Sequence, residues 1–98
     1  MKAIHKTLAV AVLALCGLAA HAQTKMTLGH NAALGNPKHD ASVKFAELVK
    51  AGTQGRIEIQ VAPAAQLGDD VPILTSLRTG AVDLSANSQG AISSVVPE

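Results

Sequence analysis

The chain has 98 residues, and its eight lysines and arginines nearly balance its seven aspartates and glutamates. This balance gives no electrostatic basis for binding nucleic acid or an anionic membrane surface. A single cysteine excludes an internal disulfide framework. A domain of this length without disulfides is marginal, because a small domain buries a smaller fraction of its surface than a larger one.

The first 22 residues have the three parts of a secretory signal peptide. Lys2 and Lys6 give a positive start, and an uncharged run of 13 residues follows at 8–20. Ala20-His21-Ala22 then supplies the small-x-small pattern that a signal peptidase cleaves. The apolar run is shorter than the roughly 20 residues that a membrane-spanning helix needs. We therefore expect cleavage before Gln23 and export to the periplasm.

Cys16 lies inside this segment, directly after Leu15. A lipoprotein signal needs a small residue at the position that Leu15 occupies, so we expect Cys16 to be removed with the signal rather than lipidated. Residues 23–98 then contain no cysteine and carry six positive and seven negative side chains, a net charge of −1 with histidine neutral. The sequence stops at Pro97-Glu98, directly after an apolar pair, which predicts that residues 23–98 are the front part of a longer protein.

The first half of this segment predicts a strand and a helix. A short, partly apolar strand is expected over 25–30, followed by a loop of small residues at 31–36. Asn36-Pro37 is typical of a helix cap followed by proline at the first helical position, and Gly52 is a helix stop. Helical spacing predicts one apolar stripe on this helix, formed by Ala41, Phe45, Leu48 and Val49.

The second half predicts a strand, a helix and another strand. Alternation of apolar and polar residues favours a strand over 56–62, which a loop at 63–68 follows. Asp69 is expected to cap a second helix with a stripe of Ile73, Leu74 and Leu77, and Gly80 to end it. A third strand is expected over 81–86, a polar loop over 87–91, and a short helix from near Ala91. The order predicts an α/β fold with a parallel βαβαβ sheet and helices on its faces.

In such a sheet, ligands bind beyond the carboxyl ends of the strands. The loops 31–36 and 87–91 follow the first and third strands, contain small residues and neutral amides, and lead into helix N-termini that favour anions. The sequence therefore predicts a site for a small, anionic solute.

Several other kinds of site fit less well. Gly29 and Gly35 do not have the spacing of a dinucleotide or Walker loop, and no G-x-S-x-G nucleophile motif is present. His30, His39 and Asp40 contain metal-ligating groups, but their spacing matches no common zinc pattern. We therefore predict neither a metal nor a cofactor.

The chain resembles the substrate-binding subunits of tripartite ATP-independent periplasmic (TRAP) transporters, of the DctP type. The resemblance covers essentially all of 25–98. The residues that carry it are Phe45-Ala46-Glu47-Leu48-Val49, Gly55-Arg56-Ile57-Glu58-Ile59-Gln60-Val61 with Pro63, Gln66-Leu67-Gly68-Asp69-Asp70, Leu77-x-x-Gly80-x-x-Asp83-Leu84 and Val96-Pro97-Glu98.

The resemblance implies a two-lobed α/β protein that closes over one solute and delivers it to integral-membrane permease subunits without catalysing a reaction. The implied solute is a small organic acid. On this basis 1–22 is the signal peptide, 23–98 is the N-terminal portion of the first solute-binding lobe, and the second lobe is absent from these residues.

The resemblance also suggests site residues. Asn31 falls where sialic-acid-binding members place a polar contact after the first strand, and Ser88 where such members have a contact, often acidic, after the third. His39 resembles a common family residue near the helix start. Asn87 and Gln89 are added because they flank Ser88 in the loop. The arginine with which the family clamps a carboxylate lies beyond the region matched here.

Two other classes of function stay open from the sequence alone. One is the binding protein of another importer or of a sensor, and the other is an exported α/β enzyme. The same βαβαβ pattern serves all three classes, because a fold does not by itself determine a function.

Overall fold

Strands and helices alternate along the chain in the computed structural model, which describes residues 22–96. The predicted signal peptide lies outside these residues, except for its last position. The elements are β1 Thr24–Gly29, α1 Pro37–Gly52, β2 Ile57–Ala62, α2 Asp70–Thr79, β3 Leu84–Ser85 and α3 Gln89–Val95.

The three strands form one parallel sheet in the order β2-β1-β3. β1 pairs with β2 along its whole length, from Thr24 opposite Ile57 to Gly29 opposite Ala62, and with β3 only at Leu28 and Gly29. The carboxyl ends of all three strands therefore meet at one edge. This architecture confirms the predicted α/β class and its parallel sheet.

The third strand is shorter than predicted, covering Leu84–Ser85 instead of 81–86. The backbone N–H groups of Ala81 and Val82 donate to the carbonyl of Ser76, so these residues follow the end of α2 rather than pairing with β1. One position further on, the Asp83 carboxylate accepts the backbone N–H of Thr27 at 2.8 Å. A side chain thus satisfies a donor of β1 that a longer β3 would otherwise bind.

The start of α1 agrees with the prediction. The Asn36 side chain accepts a hydrogen bond from the backbone N–H of Lys38 at 2.9 Å, and Pro37 is the first helical residue. Because a side-chain oxygen at this position satisfies one of the free N–H groups of the first turn, the helix begins at a defined residue.

The buried face of α1 differs from the predicted apolar stripe. Phe45 is 45% exposed and Leu48 59% exposed, whereas Ser42, which is not part of that stripe, is only 5% exposed. The Ser42 hydroxyl donates to the carbonyl of Lys38 within the helix, so its burial leaves no unsatisfied polar group. Phe45 borders an open apolar groove of about 320 Å³ beside β3, which Leu28 and Leu84 also line.

The most deeply buried apolar residue of the described core lies on helix α2. Ile73 is 1% exposed, and Leu28, Ile59 and Val82 are also buried. The Asp69 side chain accepts from the N–H of Asp70 at the start of this helix, and Gly80 ends it in the left-handed conformation, with φ of 79°. Both caps confirm the prediction.

The last helix begins two residues earlier than predicted. Gln89 is the first residue of α3 rather than part of a loop, and Ser88 precedes it without a side-chain capping bond. Arg78 donates from Nη2 to the carbonyl of Val95 at 3.0 Å and joins α2 to the end of α3. Within residues 22–96, no helix is both long enough and apolar enough to cross a membrane.

Candidate functional site

Backbone hydrogen bonds join the segments that follow β1 and β2. The N–H of Ala65 donates to the carbonyl of His30 at 3.0 Å, and the N–H of Ala64 donates to the carbonyl of Ala32 at 2.9 Å. Both alanines have positive φ, 55° and 57°, a conformation that costs L-residues about 1–2 kcal/mol each. Hydrogen bonding to the neighbouring loop offsets this cost and holds the two segments together at the carboxyl ends of β1 and β2.

Lys38 connects the loops after β1 and β3. Its Nζ lies 3.1 Å from Oδ1 of Asn31 and 3.4 Å from Oγ of Ser88. On the other side of Asn31, Nδ2 donates to Oδ1 of Asp69 at 3.0 Å. We call these four residues, Asn31, Lys38, Asp69 and Ser88, the edge cluster. It brings together a cation, an amide, a hydroxyl and a carboxylate at the carboxyl ends of the strands.

The charges of the edge cluster are mutually compatible. The backbone N–H of Asp70 lowers the pKa of Asp69, and the Asn31 amide and the positive charge of Lys38 act in the same direction. Asp69 is therefore ionised at neutral pH, where it orients the Asn31 amide. The amide then turns its oxygen toward Lys38.

His39 does not face the edge cluster directly but contacts His30. The Nε2 of His30 lies 3.1 Å from Nδ1 of His39, and the Nδ1 of His30 accepts the backbone N–H of Ala32 at 3.0 Å. His30 is 2% exposed. Its pKa is lowered, first by burial and then by the neighbouring His39 and Lys38, both of which disfavour a positive charge on His30. The pair therefore stabilises the turn between β1 and α1.

The two amides near β3 have different surroundings. The Nδ2 of Asn87 donates to the carbonyl of Asp70 at 2.7 Å, and its Oδ1 accepts from the hydroxyl of Ser85. Asn87 thus ties the end of β3 to the first residue of α2. Gln89 is exposed at the start of α3. Of the five predicted residues, the structure joins Asn31 and Ser88 through Lys38.

Three residues of this region were absent from the predicted site: Lys38, His30 and Asp69. Asp69 had been interpreted only as a helix cap, a role that the structure confirms. The sequence does hold a signal for Lys38. A cation in the first turn of a helix opposes the positive end of the helix dipole, and proteins tend to break such local rules at functional sites.

A metal site is not formed by these residues. Among the described part of the chain, no group of three His, Cys, Asp or Glu side chains is close enough to hold an ion. His30 and His39 instead direct ring nitrogens at each other.

Polar loops thus converge at the carboxyl edge of the parallel sheet, an arrangement that several classes of protein share, and comparisons with known proteins identify the family. The model of the bacterial extracellular solute-binding proteins, family 7 (DctP), matches residues 28–98. The chain belongs to this family, which is one of transport proteins rather than enzymes. The predicted TRAP resemblance is thereby confirmed.

Individual relatives agree with this assignment. The chain is 61% identical over 79 residues to the uncharacterized protein y4mM of Sinorhizobium fredii, which covers 81% of the chain and 15% of y4mM. It is 31% identical over 98 residues to the sialic acid-binding periplasmic protein SiaP of Vibrio cholerae, covering 99% of the chain and 30% of SiaP.

A solved structure gives the same result. The TRAP periplasmic solute-binding protein of Roseobacter denitrificans with bound β-D-glucuronate superposes with a TM-score of 0.72 at 27% identity. That alignment covers 76% of this chain and 24% of the other. The chain thus spans less than a third of the length of each of these proteins.

Proposed function

We propose that this chain is part of the extracytoplasmic solute-binding subunit of a TRAP transporter, which captures a small organic acid and delivers it to integral-membrane permease subunits. The observation that carries the proposal is the position of Lys38, held between Asn31 and Ser88 at the carboxyl edge of the sheet. An ammonium flanked by an amide and a hydroxyl matches a solute that has both a carboxylate and hydroxyl groups.

Sugar acids are the best candidates within that class. The SiaP relative is named for sialic acid, and the Roseobacter denitrificans structure holds glucuronate. Both molecules combine one carboxylate with several hydroxyl groups. The edge cluster also places one cation beside a neutral amide and a hydroxyl, and we therefore favour a sugar acid over a simple dicarboxylate.

The five predicted contacts have distinct proposed roles. Asn31 and Ser88 contact the solute directly, together with Lys38. Gln89 adds an exposed amide from the first turn of α3. His39 and Asn87 form hydrogen bonds within the protein. We propose that they hold the contacting residues in place and also border the solute at the edge of the site.

The same proposal assigns the parts of the chain. Residues 1–22 serve as a cleavable signal peptide and send the protein to the periplasm. Residues 23–98 form the N-terminal portion of the first of two lobes. The other lobe supplies the remaining half of the site, including the arginine that the family resemblance implies for clamping the carboxylate.

Recovery of the bound solute from the complete gene product, purified from periplasm, tests this function. Denaturation followed by mass spectrometry should release one organic acid in near-stoichiometric amount. Prolonged incubation of that acid with the protein should return it unchanged, and deletion of the gene should abolish its uptake by cells. Conversion of the acid to a product would instead indicate an exported enzyme.

A further inference from the structure

Two adjacent pairs of side chains join the end of β1 to the first turn of α1. His30 bonds His39, and directly beside them Asn31 bonds Lys38. The inner pair is the more buried, with His30 2% exposed, while Lys38 and Asn31 are half-buried at the edge. The residues of the two pairs are consecutive on both segments, so the two contacts share the same two stretches of backbone.

The hydrogen bonds fix where the protons of the histidine pair lie. The backbone N–H of Ala32 is always a donor, so Nδ1 of His30 must accept and its proton must be on Nε2. That Nε2–H donates to Nδ1 of His39, which must therefore carry a lone pair. Both rings are neutral in this arrangement.

A further proton on either ring breaks this series of hydrogen bonds. Protonated at Nδ1, His30 would present an N–H to the N–H of Ala32. A proton on Nδ1 of His39 would likewise face the Nε2–H of His30. In each case two donors oppose each other in a part-buried contact, so the hydrogen bond is lost.

We propose that His30 and His39 are positioning residues whose hydrogen bond, made only by the neutral rings, holds Asn31 and Lys38 together for solute binding. This inference rests on the proposed function only in taking Asn31 and Lys38 as residues that contact the solute. The charged groups around the pair are Lys38 on α1 and the Asp69 carboxylate at the start of α2, which binds Asn31. The β2–α2 loop faces His30 and Ala32 with backbone groups.

The direction of the pH dependence follows from the buried ring. Burial lowers the pKa of His30 below its ordinary value of 6.5, so its neutral form is the one that the folded state favours. The contribution of neutral His30 is complete above about pH 6.5 and is lost as the pH falls through its lower pKa in the folded state. The Lys38–Asn31 contact should loosen over the same range.

Nuclear magnetic resonance of the solute-free, ¹⁵N-labelled complete gene product tests the proposal. At pH 7.5, His30 should be protonated at Nε2 and unprotonated at Nδ1. On lowering the pH, the side-chain amide resonances of Asn31 should move with the same midpoint as the His30 ring. An Nδ1-protonated His30 at pH 7.5, or an Asn31 amide that does not respond to the titration, would overturn the proposal.

Variants at His39 separate positioning from general packing. His39→Asn keeps an acceptor near the place of Nδ1 and cannot be protonated, so the Asn31 amide should keep its wild-type position at pH 7.5. His39→Leu removes the acceptor and should shift that amide, while the neighbouring control Asp40→Asn should not. Equal shifts in the Asn and Leu variants would contradict the proposal. No solute enters these measurements, so their outcome is independent of whether the protein binds an organic acid.

Discussion

The Nζ of Lys38 lies 3.1 Å from Oδ1 of Asn31, across the gap between the first turn of α1 and the loop after β1. A lysine in this turn opposes the helix dipole, which makes its place there unfavourable unless something compensates. The Asn31 oxygen, Ser88 and the nearby Asp69 carboxylate supply part of that compensation. Asp40, in the same first turn, acts in the same direction, and the proposed anionic solute would add to this compensation.

Replacement of Lys38 should weaken solute binding more than it weakens the fold. In the complete gene product, Lys38→Met should raise the dissociation constant for the bound acid by about tenfold or more, because a hydrogen bond to a charged group contributes roughly 1.5–3 kcal/mol. Lys44→Met is the matched control, since Lys44 lies on the same helix with its side chain 67% exposed. Isothermal titration calorimetry measures both. Equal affinities for the two variants would remove Lys38 from the site.

Asp69 should make stability depend on acid pH through its contact with Asn31. The N–H of Asp70 and the Asn31 amide lower its pKa, so the ionised form is favoured in the folded state. This contribution is complete above the unfolded pKa of about 3.9 and is lost as the pH falls through the lower folded value. Asp69→Asn keeps a capping side chain without the charge.

Urea unfolding of wild type and Asp69→Asn at pH 7 and near pH 3 checks this dependence. The wild type should have the higher midpoint at pH 7, and the difference should shrink as the pH is lowered. A difference that stays constant over this range would show that the carboxylate charge contributes nothing.

Gly29 lies at the end of β1, where the strand packs so closely against Ile73 of α2 that only glycine fits. A Cβ at this position would overlap Cδ1 of Ile73, a side chain that is only 1% exposed and would have to shift within the core. Gly29→Ala should therefore lower the free energy of unfolding by about 1–3 kcal/mol, the usual range for overpacking a core. Gly52→Ala is the control, because no heavy atom lies within 4 Å of the added methyl group. Chemical denaturation should give a clearly lower free energy of unfolding for Gly29→Ala than for Gly52→Ala. Equal free energies of unfolding would mean that Ile73 can repack.

The exposed face of α1 predicts how the described region behaves alone. Phe45 and Leu48 stay largely in contact with water, beside the open apolar groove along β3. A segment of residues 23–98 should therefore lack a sharp cooperative melting transition, since too little apolar surface is removed from water. Thermal circular dichroism measures this directly, and a sharp transition would contradict it.

Within the complete gene product we expect the same face to be covered. Phe45→Ser should then destabilise the protein by roughly 3 kcal/mol, as for other large-to-small changes in a core. Leu34→Ser, at a residue that is 75% exposed, should change stability by no more than about 0.5 kcal/mol. Similar effects of the two substitutions would show that α1 keeps this face in solvent.

The local features of the fold could be predicted from the sequence because their causes are local. Asn36 and Asp69 cap helices with their own side chains, and Gly80 ends α2 in a backbone conformation that glycine adopts readily. The length of β3 could not be predicted in this way. It depends on the Asp83 carboxylate reaching Thr27, 56 positions earlier in the chain.

The candidate site was predictable only in outline for the same reason. The rule that ligands bind at the carboxyl ends of parallel strands selected the loops that contain Asn31 and Ser88. The bond from Asn31 to Asp69 joins residues 38 positions apart, and no pattern in the sequence indicates it. Burial of Ser42 instead of Phe45 likewise depends on which part of the sheet α1 covers.

The most direct test of the solute-binding role is calorimetric titration of the complete gene product with D-glucuronate and N-acetylneuraminate, each compared with its uncharged methyl ester. At least one acid should bind with one-to-one stoichiometry, and its ester should bind at least tenfold more weakly, because the ester lacks the carboxylate that Lys38 is placed to meet. Binding of an acid and its ester with equal affinity, or binding of neither acid, would contradict a sugar-acid site at this edge of the sheet.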